Sequence, residues 1–100
     1  MFGMSRPGGG AGGGDGGDLE DLKNIGPVSA ARLRSVGIGT AGELRRVGAV
    51  AAYRRLRRAH PGVTVLTTLY ALQGAILDVR WYSLSNGERS RLRQRAGEQE

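Results

Sequence analysis

Apolar residues recur at steps of three and four along most of the chain, a spacing that is typical of amphipathic α-helices. The longest run consists of Leu66, Leu69, Leu72, Ile76 and Val79. It follows Thr64, whose hydroxyl can cap a helix start, so we expect a central helix here. Shorter runs predict further helices over residues 19–24, 27–37, 40–48, 49–60 and from 85 onward. No segment has the pattern of a strand, and the expected fold is therefore all-α with five to six short helices.

Capping residues mark several of these helix starts. Thr40 with Glu43, and Ser85 with Glu88, have the spacing of capping boxes, in which hydroxyl and carboxylate satisfy free amides of the first turn. Asp18 is expected to cap the first helix. The expected core-facing residues of the second helix are Val28, Ala31, Leu33 and Val36.

The segment from Leu22 to Leu33 predicts a tight helical hairpin. Gly26 suits a turn that a residue with a Cβ would resist, and Pro27 suits the first position of a helix, where its missing N–H costs nothing. The free amides of such a helix start attract anions, so the turn is a candidate phosphate site. Many helical domains also turn a corner with Gly-Pro and bind nothing there.

A weak repeat appears at a shift of 22 residues, where Leu22–Arg32 aligns with Leu44–Arg54. Two hairpins, turning at Gly26 and Gly48, are therefore expected, either as a pseudo-duplicated pair or by chance similarity of two short corners. The candidate nucleic-acid-binding residues are Lys23, Asn24, Ile25, Gly26, Arg45, Arg46, Gly48 and Arg54.

Composition divides the chain into two parts. Half of residues 1–18 are glycine, so we expect a disordered tail over residues 1–17 and a helical domain over residues 18–97. The net charge is +6, and residues 19–60 hold nine basic against three acidic residues. Fourteen of the fifteen basic residues are arginine, which favours bidentate phosphate or carboxylate contacts, although codon bias explains the preference equally well.

Few residues suit catalysis or metal binding. The chain has no cysteine, and its single histidine, His60, is expected to be a solvated helix-end residue without an Asp or Ser partner. We expect no enzyme, no metal, no cofactor and no small-molecule substrate. Neither a secretory signal nor a membrane span is evident, and a cytoplasmic location fits best.

The aromatic residues, and Asp78 at the end of the central helix, could serve either the fold or a function. Trp81 and Tyr82 could stack on bases, but the few aromatics favour Trp81, Tyr53 and Tyr70 as core residues. Asp78 is expected to pair with Arg80 or Arg32 rather than to act in catalysis.

The order of these features resembles the C-terminal domain of the TfoX/Sxy family of competence regulators. The resemblance covers residues 19–96 and rests on two signatures: the turn Leu22–Pro27, with Ile25, Gly26 and Ala30 at the positions of a helix-hairpin-helix pattern, and the late run Leu69–Ile76 followed by Trp81 and Leu84. Asn24 replaces the first glycine of that pattern. The resemblance implies a helix-hairpin-helix or SAM-like bundle.

Together these features indicate a regulatory domain that binds DNA weakly and without sequence preference through its hairpin turns. The alternative is a protein-docking module of the transcription or DNA-handling machinery with no nucleic-acid contact.

Overall fold

The computed structural model describes residues 17–97, and within that range every regular element is helical. The α-helices are α1 (Pro27–Ser35), α2 (Ala41–Val47), α3 (Ala49–Ala59), α4 (Tyr70–Leu77) and α5 (Asn86–Ala96). A π-helical stretch, Val65–Leu69, leads directly into α4, and single 3-10 turns lie at Leu19–Asp21 and Trp81–Ser83. The all-α prediction is confirmed for these residues. The predicted tail falls outside the described range except for Gly17, whose carbonyl accepts a hydrogen bond from the Ala41 N–H (3.0 Å).

Two predicted capping boxes begin helices as expected. The Glu43 N–H donates to Thr40 Oγ1 at 3.1 Å, and the Glu88 N–H donates to Ser85 Oγ at 3.1 Å. In the first box the Glu43 carboxylate also accepts the Gly39 N–H at 2.6 Å. These local bonds satisfy amides that the helix itself leaves without partners, which fixes where α2 and α5 start.

The predicted first helix is shorter than expected. Residues 19–21 form one 3-10 turn rather than a helix to residue 24, and Asp18 stands at its N-cap without a side-chain hydrogen bond. One turn offers too few backbone bonds to propagate a helix, so its position depends on packing of the buried Leu19.

The core lies around α4, which packs against α3, the π-helical stretch and the second 3-10 turn. Its largest fully enclosed side chains are Tyr53, Leu19, Leu33, Ile38, Leu44, Leu69, Leu72 and Leu92. The core positions predicted for Tyr53 and Tyr70 are confirmed. Each such large side chain contributes about 1.5–3 kcal/mol through burial.

The buried face of α1 agrees with the prediction at Leu33 and, in part, at Val36, and differs from it at Val28 and Ala31. Ala30 and Leu33 are buried, whereas Val28 is 63% exposed and Ala31 is also exposed. Successive helix residues are about 100° apart, so Val28 lies about 200° from Ala30, on the opposite side. The core face therefore follows the three-residue step from Ala30 to Leu33.

Both ends of the central helix depart from the predicted stripe. The π-helical start has more residues per turn, which shifts Leu66 off the face of Leu69 and leaves it exposed. At the other end α4 stops at Leu77, because Asp78 takes a left-handed conformation (φ 62°). The Val79 N–H then donates to the Gly74 carbonyl at 2.8 Å, which closes the helix and places Val79 beyond it.

Candidate nucleic-acid interface

The first turn, residues 22–26, owes its shape to Asn24 rather than to Gly26. Asn24 has φ 70°, in the left-handed region, while Gly26 has φ −99° and a Cβ built on it would meet no atom within 4 Å. The expectation that Gly26 takes a conformation closed to other residues is therefore wrong. Asparagine tolerates the left-handed region better than most residues, which explains why it can replace the first glycine of the hairpin pattern.

The Asn24 side chain joins this turn to α4 and to the residues that follow it. Its amide donates to the carbonyls of Ala71 (3.3 Å) and Val79 (3.0 Å), and its Oδ1 accepts the Trp81 N–H (3.1 Å). Gly74 makes this approach possible, since a Cβ there would stand 2.5 Å from Asn24 Nδ2 and 2.6 Å from the Val79 carbonyl oxygen. Asn24 is thus a structural residue whose side-chain hydrogen bonds are made within the protein.

The other residues of the first turn are also engaged or buried. Lys23 Nζ lies 3.0 Å from Asp78 Oδ1, so Asp78 pairs with Lys23 and not with Arg80 or Arg32 as expected. Ile25 is 6% exposed and belongs to the core. Lys23 is the cationic candidate in this turn, and the Asp78 carboxylate partly neutralises its charge.

The second turn has a different backbone. Gly48 joins α2 directly to α3 with φ 88° and ψ 159°, a conformation that is essentially confined to glycine. Its N–H donates to the Leu44 carbonyl (2.8 Å), and its own carbonyl accepts the Ala52 N–H (3.0 Å). One residue therefore ends one helix and begins the next. The aligned segments thus differ at their turns, since the left-handed residue is Asn24 in the first and Gly48 in the second.

The start of α3 opens into a groove of about 480 Å³, which we call the arginine groove. Its lining residues are Arg45, Val47, Gly48, Ala49, Val50, Ala51, Arg54, Arg55, Arg58, Gln73, Ile76, Leu92 and Arg95. The first amides of α3 have no partner within the helix, and Gly48 provides no side-chain cap. Five arginines line the same groove, and no acidic residue occurs among the lining residues. One of them, Arg55, donates from Nη1 to the Val36 carbonyl (3.3 Å).

The structure brings together Arg45, Gly48 and Arg54 of the candidate residues, and it keeps the first turn out of this groove. Arg46 is exposed at the end of α2 but is not part of the lining. Arg54 Nη2 donates to the Arg95 carbonyl (3.0 Å), so it also caps the end of α5. Arg54 is therefore partly structural.

Sequence reasoning missed Arg55, Arg58 and Arg95 in the groove. Arg58 follows Arg54 by four residues, a spacing that places both on one helix face and that could have identified it. Arg95 comes from α5, and no local pattern indicates that it lies beside the second turn.

His60 has a partner that the sequence did not indicate. Its Nε2 lies 3.2 Å from Ser35 Oγ, and that hydroxyl is also 2.6 Å from the Arg32 carbonyl oxygen, to which it donates. His60 ends α3, as expected, and its contact with Ser35 links that helix to the end of α1. Both side chains serve to hold the helix ends together.

Residues 17–97 hold neither a metal-binding cluster nor a membrane-spanning helix. Three or more His, Asp or Glu side chains are nowhere close enough there to hold a metal ion. None of the helices in this range has both the length and the apolar character needed to cross a membrane.

The chain is similar to a known protein family and to solved structures. A family model described as the TfoX C-terminal domain matches residues 16–96. A crystal structure described as an uncharacterized protein from Listeria monocytogenes, in a triclinic form, is 32% identical, with a TM-score of 0.74 over 83% of this chain and 98% of that one. A tetragonal-form structure of a protein of unknown function from the same organism is 34% identical, with a TM-score of 0.73 over 79% of this chain and 96% of that one. No curated protein gives a significant match.

Proposed function

Since the chain belongs to the TfoX C-terminal domain family, we propose that it is a non-enzymatic regulatory domain that contacts the phosphates of DNA through the arginine groove. The observation that carries this proposal is the set of five arginines around the α3 start, with no acid among the lining residues. Guanidinium groups bind phosphate oxygens in a bidentate manner, and the first amides and dipole of α3 favour the same charge.

This arrangement supports weak binding that depends strongly on salt. Phosphate contacts position a protein on DNA but do not read sequence, and each contact releases condensed counterions. Arg45 and Arg54 lie on two different helices, so the groove presents cations from both to a backbone strand that reaches it. The first turn plays a lesser part, because Lys23 is paired and Asn24 is committed to the fold.

The test is a salt titration of binding to two unrelated duplexes, with the double variant Arg45→Gln/Arg58→Gln. We expect similar weakening for both duplexes and a log-log salt slope that is shallower by roughly two units, about one for each phosphate that is no longer neutralised. The matched control is Arg32→Gln/Arg91→Gln, which removes the same charge outside the groove and should leave the slope close to that of the wild type. Equal weakening in both variants would show that net charge alone drives binding.

The alternative is a protein-docking module. It is favoured by four large apolar side chains that are at least 47% exposed, namely Val28, Leu66, Leu77 and Tyr82. Single exposed apolar residues are common on soluble proteins, so this observation is weaker than the arginine groove. If the intact chain shows no duplex binding at about 50 mM salt, where phosphate contacts are strongest, the DNA proposal is wrong and the docking proposal replaces it.

A further inference from the structure

A second groove, of about 430 Å³, lies beside the second 3-10 turn. We call it the aromatic groove, and its lining residues are Asn24, Leu66, Thr67, Ala71, Arg80, Trp81 and Tyr82. None of them lines the arginine groove. The function proposed above therefore does not account for this groove.

Two aromatic rings stand at this groove in a fixed arrangement. Trp81 and Tyr82 have ring centroids 5.6 Å apart and planes at 81°, so the edge of one meets the face of the other. Tyr82 is 63% exposed, while Trp81 is half-buried and so only partly fulfils its predicted role as a core residue. An aromatic ring this exposed contributes little to the core, which leaves its face available for a ligand.

Trp81 has contacts through both its backbone and its ring. Its backbone N–H donates to Asn24 Oδ1 (3.1 Å), and the Arg89 guanidinium carbon lies 5.7 Å from its ring centroid and 5.4 Å from that of Tyr70. Arg89 Nε is buried and has no hydrogen-bond partner. The Trp81 and Tyr70 rings therefore stabilise this part of the cation. Trp81 therefore needs little further ordering when a base stacks on the neighbouring Tyr82.

The charge and the hydrogen-bonding groups of the aromatic groove indicate which kind of ligand it can bind. Arg80 lines the groove and is exposed, and the lining residues include no acid, which favours an anionic ligand. The amide of Asn24 already makes three bonds within the protein, and the Thr67 hydroxyl is bonded to that of Thr64 (2.6 Å). A peptide backbone would find few partners for its N–H and C=O groups, whereas a base stacked by its face keeps its polar edges in water.

We propose that the aromatic groove binds single-stranded nucleic acid by stacking an unpaired base on Tyr82 beside Trp81, with Arg80 on the adjacent phosphate. Aromatic platforms combined with basic residues bind single strands in this way, and stacking tolerates any base. A paired base is held inside its duplex, so this activity is distinct from the duplex contact proposed above and does not depend on it.

Trp81 is the only tryptophan of the chain, so its fluorescence reports on the groove directly. The full chain is titrated with an oligothymidylate of about eight nucleotides, within the site sizes of known single-strand binders. A deoxyribose-phosphate oligomer of the same length, which lacks bases, serves as the comparison. We expect saturable quenching by oligothymidylate and none by the abasic oligomer at equal phosphate concentration.

Substitutions at the exposed ring test the stacking directly. Tyr82→Ala should weaken oligothymidylate binding about tenfold or more, the effect expected for loss of one stacked base. Tyr82→Phe keeps the ring and should bind like the wild type. Because Tyr82 is mostly exposed, both variants should melt cooperatively near the wild-type temperature.

The outcomes separate this proposal from the duplex proposal. Arg45→Gln/Arg58→Gln should lose duplex affinity while retaining the Tyr82-dependent difference between oligothymidylate and the abasic oligomer. Equal quenching by both oligomers, or wild-type affinity in Tyr82→Ala, would overturn base stacking. Quenching by a short Glu-Leu peptide without quenching by oligothymidylate would overturn it as well and would identify the groove as a protein-docking site.

Discussion

The turn around Asn24 and the turn at Gly48 align in sequence, but the structure closes one and leaves the other open. Asn24 makes three hydrogen bonds, one to Ala71 in the first turn of α4 and two to Val79 and Trp81 just beyond that helix, and its neighbour Lys23 pairs with Asp78. Gly48 has no side chain, and arginines from α2, α3 and α5 line the groove into which the start of α3 opens. A similar run of residues can thus either fix a fold or expose backbone groups to a ligand, depending on which distant elements pack against it.

The largest effect is expected where the first turn meets α4. Gly74→Ala places a Cβ 2.6 Å from the Val79 carbonyl oxygen, a backbone atom that cannot rotate away, and 2.5 Å from Asn24 Nδ2. We expect destabilisation by about 3 kcal/mol or more, measured by urea unfolding, even though alanine favours a helix by about 1 kcal/mol. Gly87→Ala in α5 is the control, because its Cβ makes only ordinary contacts there. Equal stability of the two variants would contradict the close approach.

Asn24→Ala should have the next largest effect. It loses three hydrogen bonds and puts a Cβ residue without a polar side chain at φ 70°, which together should cost about 2–4 kcal/mol. Gly26→Ala, two residues later, should change stability by less than about 0.5 kcal/mol, since its backbone is ordinary and its surroundings are open. Asn24→Gly keeps the conformation and loses only the bonds, so it should fall between them. The reverse order of Asn24→Ala and Gly26→Ala would show that Gly26 shapes the turn after all.

This pair of residues also shows what could be predicted from sequence. Helix starts at Thr40 and Ser85 were predicted correctly because the bonds that define them join residues three apart. The importance of Asn24 was missed because its partners lie 47 to 57 residues away in the chain. Local sequence patterns therefore predict the helices and the family, whereas the packing of those helices determines which turn is open.

The arginine groove illustrates the same limit. Helical spacing places Arg54 and Arg58 on one face of α3, so their proximity could be predicted from the sequence. Arg95 joins them only because α5 packs against α3. Val28 and Ala31 were wrongly assigned to the buried face of α1 for a related reason, since the short run from Val28 to Val36 fits more than one three- or four-residue stripe until its neighbours are known.

Gly48→Ala, in the second turn, should have a smaller effect than Asn24→Ala but a larger one than Gly26→Ala. Gly48→Ala meets no atom within 4 Å, so its cost comes from the backbone alone, at φ 88° and ψ 159°. We expect about 1–3 kcal/mol by urea unfolding, together with weaker duplex binding because the strain reorients the first amides of α3. If Gly48→Ala is as stable as Gly26→Ala, the contrast between the two turns does not reside in the backbone.

The smallest effect is expected at the exposed ion pair between Glu20, in the first 3-10 turn, and Arg34, in α1. Arg34 Nη2 lies 2.8 Å from Glu20 Oε1, and this hydrogen bond lowers the pKa of the Glu20 carboxyl below its ordinary value. A lowered pKa in the folded state means that the pair stabilises the protein above the ordinary glutamate pKa and loses that contribution as the pH falls through the folded value. Wild type should therefore melt slightly above Glu20→Gln at neutral pH, by at most about 2 °C because both side chains are exposed, and the two should converge in acid. Arg34→Gln should remove the same pH-dependent difference, and in that background Glu20→Gln should have no further effect. A difference that persists in acid would mean that Glu20 acts through something other than its charge.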